Sequence, residues 1–211
     1  MKYTHIFWDF NGTLYDDVEA CITAVNEMLA ERKLDVIENC EHYREVFDFP
    51  VIEYYRGLGF DFEAEPYYEV LAPAWVALYN KYSVTSPLTE DARQVLDEVR
   101  GQGIKQVLFS ATEINMLRGQ LNSLGISDAF DEIIGLDNIH AGGKLHLARM
   151  WKEAHPEARV LYVGDTVHDA ENAACLGADC LLYAGGHQSQ KRLSVCGCPI
   201  IDGLREVLNY I

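Results

Sequence analysis

Residues 6–14 read Ile-Phe-Trp-Asp-Phe-Asn-Gly-Thr-Leu. Ile6-Phe7-Trp8 is a β-prone apolar run suited to the middle of a sheet, yet it ends on a carboxylate, Asp9. Two residues later stands an amide, Asn11, followed by Gly12. A core strand that stops on an acid needs a reason for the acid. Its place in the fold depends on the rest of the chain.

From about residue 88 onward, short apolar runs alternate with amphipathic stretches. Lys105–Phe109 reads as a buried strand and Ile114–Leu124 as a helix stopped by Gly125. Phe130–Ile134 reads as a short strand and Leu145–Glu153 as a helix. Arg159–Val163 is the clearest strand, and Ala170–Leu176 is a helix closed by Gly177. Cys180–Tyr183, Pro199–Ile201 and Leu204–Leu208 complete the alternation. This rhythm predicts an α/β fold with a parallel sheet covered on both faces. The stretch from Tyr15 to Tyr82 has a different texture. Val18–Leu29, behind the capping acids Asp16 and Asp17, has helical periodicity. So do Tyr43–Phe47, Val51–Leu58 and Tyr67–Tyr82. The expected organisation is a core of residues 1–14 and 84–211 with a helical insertion, 15–83.

The chain has 211 residues, 49% of them hydrophobic, and a net charge of −16. Such a field repels a phosphate backbone, so nucleic acid is not an expected partner. No apolar run approaches the ~20 residues that span a bilayer, so no membrane is expected either. The six cysteines include no Cys-x-x-Cys pair, and no signal peptide precedes Ile6. A reduced, cytoplasmic chain is the expectation. Cys196-Gly-Cys198 lacks a second pair to complete a metal site.

In an open parallel sheet, ligands bind beyond the carboxyl ends of the strands. Asp9 and Asn11 follow the first strand, Ser110-Ala111-Thr112 the second, and Gly164-Asp165 with Asp169 a third. Lys144, after Gly142 and Gly143, opens the helix before that third strand. Taken singly, each is an ordinary cap or surface residue. Together they bring carboxylates, a hydroxyl and one cation to one sheet edge. Asp9, Asp165 and a nearby carbonyl suit Mg²⁺, which binds through one or two carboxylates and a substrate phosphate. The ion would let an aspartate attack phosphorus, with Ser110 and Lys144 holding the phosphoryl oxygens. The Asp9-x-Asn11-Gly12 run is not a calcium loop, because the glycine is misplaced and a strand precedes it.

The order Asp9-Phe-Asn11-Gly12-Thr13-Leu14, Ser110, Lys144, Gly164-Asp165-x-x-x-Asp169 resembles the haloacid dehalogenase superfamily, most closely its phosphoglycolate phosphatase-like group. The resemblance spans the whole chain. It implies a Rossmann-like, doubly wound core with an inserted helical cap, and an aspartyl-phosphate intermediate in the phosphatase branches. It makes Asp9 the nucleophile and a Mg²⁺ ligand. Asn11 would offer its backbone carbonyl to the ion, with Asp165 and Asp169 as the other ligands. Ser110 and the amides of Ala111 and Thr112 would grip the transferring group, and Lys144 would orient the nucleophile. The substrate implied is a small phosphorylated metabolite.

Asn11 departs from that pattern. Family phosphatases usually carry a second Asp there, which protonates the leaving oxygen and later activates water. An amide does neither, and such help is typically worth ~10²–10⁴ in rate. Three readings stay open: a slow phosphatase or one for good leaving groups, a phosphatase with its acid/base elsewhere, and a phospholigand-binding protein of little turnover. A phosphonate hydrolase also lacks the second Asp but needs a cap lysine, for which only Lys33 and Lys81 are available. Within the cap, Arg44 and Arg56 are the expected cations for a negative leaving group. His42, Tyr43, Tyr54 and Tyr55 are further candidates for substrate contact. His168 is the candidate substitute base, while His5 has no expected role.

Overall fold

The computed structural model describes residues 2–139 and 144–211. Six parallel strands form one sheet. They are β1 (His5–Trp8), β2 (Lys105–Glu113), β3 (Glu132–Leu136), β4 (Val160–Gly164), β5 (Asp179–Tyr183) and β6 (Ile200–Ile201), in the order β3-β2-β1-β4-β5-β6. The strand quoted first therefore lies at the centre, which explains its unbroken burial. Its side chains alternate. Ile6 and Trp8 join a large core with Leu108, Leu161 and Val163, while Phe7 joins Val107, Phe109 and Tyr162 on the other face. The strand order reverses beside β1, which leaves a crevice beyond its carboxyl end where Asp9 stands.

Between residues 18 and 83 the regular elements are helical: α1 (Val18–Glu31), α2 (Cys40–Val46), α3 (Val51–Gly57), a π-helical turn (Tyr67–Leu71) and α4 (Ala72–Ser83). The single helix expected over Tyr67–Tyr82 is thus divided. Pro73 sits in the first turn of α4, where its missing N–H costs nothing, and an unbroken α-helix would need that N–H. The passes into and out of this segment are bound to each other. Asp16 N–H donates to Pro87 O at 3.0 Å, and Thr89 N–H donates to Leu14 O at 3.0 Å. The remaining helices are α5 (Ala92–Gly101), α6 (Ile114–Leu124), α7 (Leu145–Ala154), α8 (Val167–Leu176) and the short α9 (Gln190–Leu193).

Two local readings change. The strand expected at Phe130–Ile134 runs from Glu132 to Leu136. The helix expected to start at Ala170 begins at Val167, because Thr166 and Asp169 cap it reciprocally. Among the described residues, no helix is long and apolar enough to cross a membrane. All six cysteines are free.

Candidate active site

Asp9 leaves the end of β1 with its N–H bonded to Val163 O at 2.8 Å, so the carboxylate is fixed by the sheet itself. Asp165, just past β4, and Asp169, in the first turn of α8, come to the same crevice. The three carboxylates are buried, and each offers an oxygen within 4.8 Å of the others. Lys144, at the N-terminus of α7, is only 2% exposed. Its ammonium binds the Asp9 carboxylate, Phe109 O at 2.7 Å and Asp169 Oδ1 at 3.2 Å. It is therefore no surface lysine. Gly142 and Gly143, which precede it, lie outside the described residues.

Three acids and one lysine leave an excess of negative charge. Burial, and then the neighbouring Asp169 charge, push Asp9 well above the usual carboxylate range despite Lys144. Burial, with Asp169 adding to it, pushes Asp165 up to about 6. Burial alone would lower Lys144, but Asp9 and Asp169 outweigh it and hold its pKa above the ordinary value. Asp169 behaves differently. Burial raises it, but Lys144 and the Thr166 hydroxyl outweigh burial, and it stays low. The raised values of Asp9, Asp165 and Lys144 register a site short of cations, and the donors present are carboxylate oxygens, the ligand type of Mg²⁺.

Glycines make the crowding possible. Gly12 has φ +72°, and a Cβ there would lie 2.4 Å from both Asp165 and His187. A Cβ at Gly186 would lie 2.2 Å from the Asp165 carboxylate. Thr13 Oγ1 donates to Asp165 Oδ1 at 2.9 Å, and His187 N–H donates to Asp165 Oδ2 at 2.6 Å. Asp165 is thus oriented by the loops after β1 and β5.

Ser110 and Thr112 belong to β2. The cap of α6 is Glu113, whose carboxylate accepts from the N–H groups of Asn115 and Met116, so Ser110 is not a helix cap. Thr112 N–H donates to Ser110 Oγ at 3.1 Å. Ser110, Ala111 and Thr112 line the same cavity as Asp9, Asn11, Lys144 and Asp169.

The Asn11 amide is fully engaged. Its Nδ2 donates to Asp17 Oδ2 at 2.7 Å and to Tyr79 Oη at 2.8 Å, and its Oδ1 accepts from Thr112 Oγ1 at 2.7 Å. Asp17, expected only to cap α1, makes no side-chain cap bond there. It turns inward, completely buried, and accepts from Gly12 N–H at 2.9 Å and Tyr79 Oη at 2.7 Å. His187 Nε2 lies 3.4 Å from Asp17 Oδ1, and its Nδ1 meets Tyr43 Oη at 3.0 Å. Burial would lower His187, but the bond to Asp17 and the Asp17 charge raise it to about 9. For Asp17, burial is outweighed first by His187, and the acid stays ionised. Sequence reasoning missed both residues. Asp17 sits where a cap belongs, so its role was masked. His187 follows Gly185-Gly186 just past β5, and reading that strand end as the others were read would have found it.

The cap arginines do not line the cavity. Arg44 binds the carbonyls of Gly185 and Gly186, the latter at 2.7 Å, and so ties α2 to the loop after β5. Arg56 pairs with Glu53 on an exposed face and lies over the Phe62 ring. Tyr43, Tyr54, Tyr55 and His168 do line the cavity; His42, Lys33 and Lys81 do not. His5, within β1, packs edge-on against Trp151.

The family model for haloacid dehalogenase-like hydrolases matches residues 6–183. A phosphoglycolate phosphatase of Caulobacter vibrioides is 25% identical over 88% of this chain and 81% of its own length. Another of that name, from Pseudomonas fluorescens, is 26% identical over 96% of this chain and 78% of its own. A haloacid dehalogenase-like family hydrolase from Streptococcus pneumoniae superposes with a TM-score of 0.82 at 20% identity, covering 99% of this chain and 98% of that one. That likeness shows a shared fold.

Proposed function

The chain belongs to the haloacid dehalogenase-like hydrolases, and from that premise we propose that it is a Mg²⁺-dependent phosphatase of small phosphate monoesters working through a phospho-Asp9 intermediate. The observation that carries the reading is the cation-poor cluster of Asp9, Asp165 and Asp169 around Lys144. Asp9, Asp165, Asp169 and the Asn11 backbone carbonyl would hold the ion. When bound, the ion shields the charge between a carboxylate nucleophile and a phosphoryl group.

The remaining chemistry falls to the chain. An Asp9 oxygen bonds to phosphorus as the bond from phosphorus to the ester oxygen breaks, and the ester oxygen departs with the bonding pair and takes its proton from solvent. Water then cleaves the aspartyl phosphate, which yields inorganic phosphate and restores the carboxylate. Lys144, held by Asp169 and Phe109 O, keeps Asp9 oriented, and the ammonium balances charge on the transferring group. Ser110 and the amides of Ala111 and Thr112 would receive its oxygens. The helical segment 15–83 serves as a cap over the core formed by 1–14 and 84–211, and it excludes bulk water. The names of the curated relatives support a small phosphorylated metabolite as substrate.

Phosphate release from p-nitrophenyl phosphate, with Mg²⁺ or with EDTA, tests the reading beside an Asp9→Ala control. The expected result is release that needs both the ion and Asp9. Release that persists in folded Asp9→Ala protein would overturn it. A second reading, a phospholigand-binding protein with little turnover, is favoured by one observation, the engagement of Asn11 on both ends of its amide. It predicts saturable ligand binding without release. The phosphonate-hydrolase alternative has no support, since neither Lys33 nor Lys81 reaches the cavity and Lys81 is bound to Glu27.

A further inference from the structure

Above the carboxylate cluster the cavity changes character. Its upper wall is aromatic, built by Tyr43, Phe47, Tyr54, Tyr55, Trp75 and Tyr79 from α2, α3, α4 and the chain between them. Trp75 stacks on Tyr79 at 4.8 Å, and Tyr54 stands edge-on to Tyr43 and Phe47. Among the described residues, no arginine lines the cavity. The basic residues that do are engaged: Lys144 with Asp9 and Asp169, His187 with Asp17, and His168 Nδ1 with Glu171. Asp9, Asp17, Glu113 and Asp169 also line it. A leaving group bearing a carboxylate would meet acids and aromatic faces, with no free cation among the described residues.

The whole cavity, catalytic end included, has a volume of about 130 Å³. A cavity of about 150 Å³ in another protein accepts one benzene, so the leaving group is no larger than a single ring. Two buried polar atoms among the described residues of this lining have no partner, the Tyr54 hydroxyl and His168 Nε2. Tyr54 is 5% exposed. An unsatisfied buried hydroxyl is destabilising unless a ligand meets it.

Chemistry points the same way. Asn11 has no proton to give the departing oxygen. A phenol ionises near ~10, about six units below water, so an aryloxide leaves without that proton and takes one from solvent afterwards. An alkoxide does not leave so readily.

Resting on the phosphatase reading above, we propose that this cavity takes the leaving group of an aryl phosphate: one uncharged aromatic ring with a neutral polar substituent that meets the Tyr54 hydroxyl. Glycolate and sugar phosphates are then poor substrates, although the curated relatives carry the name phosphoglycolate phosphatase.

Equilibrium binding keeps this inference separate from turnover. Calorimetry with Mg²⁺ present would compare benzylphosphonate with 3-phosphonopropionate, non-hydrolysable analogues of an aryl ester and of a carboxylate-bearing one. Benzylphosphonate is expected to bind at least about tenfold more tightly, within what one buried ring contributes. Trp75→Ala is expected to remove most of that preference. Tyr54→Phe should spare benzylphosphonate and weaken 4-hydroxybenzylphosphonate several-fold, which keeps the test sound if the tryptophan variant fails to fold. Equal or tighter binding of 3-phosphonopropionate overturns the inference. Hydrolysis assays separate the two proposals. A ring preference without hydrolysis of any ester sinks the phosphatase reading and leaves the pocket. Hydrolysis that favours phosphoglycolate over phenyl phosphate leaves the phosphatase and sinks the pocket.

Discussion

Two buried acidic groups share one cavity, and the chain neutralises them differently. Among the described residues a single lysine, Lys144, pairs with Asp9 and Asp169 in the cluster that these two form with Asp165. Around Asp17, which lines the same cavity, stand His187, Tyr79, the Asn11 amide and the Gly12 N–H. The first group is left with unmet charge, and the second has almost none. Burial makes this difference consequential, because a desolvated carboxylate must find a proton, a cation or hydrogen bonds. Asp17 finds them in the protein. Asp9 has Lys144 and Asp165 has the Thr13 hydroxyl and the His187 N–H, but these do not offset burial, and the raised proton affinity of both acids records the deficit. Unmet charge is what the proposed cation and phosphate would relieve, whereas met charge has no need of them.

The comparison is broken most directly at its two acids. Asp9→Asn should lower phosphate release by at least ~10³-fold, because it removes the group proposed to bond to phosphorus. The same change relieves like-charge repulsion, so the metal-free variant should melt at or above the wild-type temperature. A clear fall in melting temperature would mean that Asp9 is structural and that the contrast is false. Asp17→Ala should do the reverse. It strands the His187 imidazolium and three donors in the interior, and breaking a buried pair this way costs about 3–5 kcal/mol. Chemical denaturation would read that loss. A cost under ~1 kcal/mol would show that the Asp17 cluster is no more structural than the other.

pH sharpens the contrast. His187 rises from 6.5 to about 9 in the folded protein. Its pairing therefore stabilises the fold fully below 6.5, and the contribution is lost as pH rises through 9. A tenfold change in proton affinity is worth about 1.4 kcal/mol, so the loss is on the order of 3 kcal/mol. Melting temperature should fall between pH 7 and 9.5 in the wild type, and more steeply than in His187→Gln. Parallel curves for the two proteins would remove His187 as the partner of Asp17. On the acid side Asp17, held low by His187, contributes above its ordinary 3.8 and is lost as pH falls through its depressed value.

Most of the fold was legible because it rests on period and punctuation. The Ile6–Trp8 run, the strand ending at Val163 and the glycine stops at Gly125 and Gly177 are local signals with one physical meaning each. That Asp9, Asp165, Asp169 and Lys144 come together was legible for a similar reason, since strand ends converge in a parallel sheet. What escaped was pairing across distance. Asp17 and His187 are 170 positions apart, and nothing local tells an acid that caps a helix from one that turns under it. Arg44 and Arg56 were misplaced by the opposite error. A cation in a cap suits an anionic substrate, but Arg44 is taken by the carbonyls of Gly185 and Gly186 and Arg56 by Glu53. Composition cannot decide between such partners.

The smallest expected effect bears on the amide that the first strand poses as a question. Asn11 is the residue that joins the two groups. Its Nδ2 serves Asp17, while its backbone belongs to the loop behind Asp9. An acid at this position would lie 2.7 Å from Asp17 Oδ2, and two carboxylates that close cannot both ionise. The amide is what lets Asp17 stay charged and paired with His187. Asn11→Asp therefore gains a proton donor but shares its proton with Asp17. Turnover of an alkyl phosphate relative to phenyl phosphate should rise only about tenfold, short of the ~10²–10⁴ that an unencumbered general acid supplies. The rise should be larger in the double variant Asn11→Asp, Asp17→Asn, where the competing carboxylate is gone. Parallel assays of both esters on the three proteins would read this. An unchanged ratio throughout would mean that position 11 does not limit departure of the alcohol, and that the proton reaches the leaving oxygen from another group in the cavity.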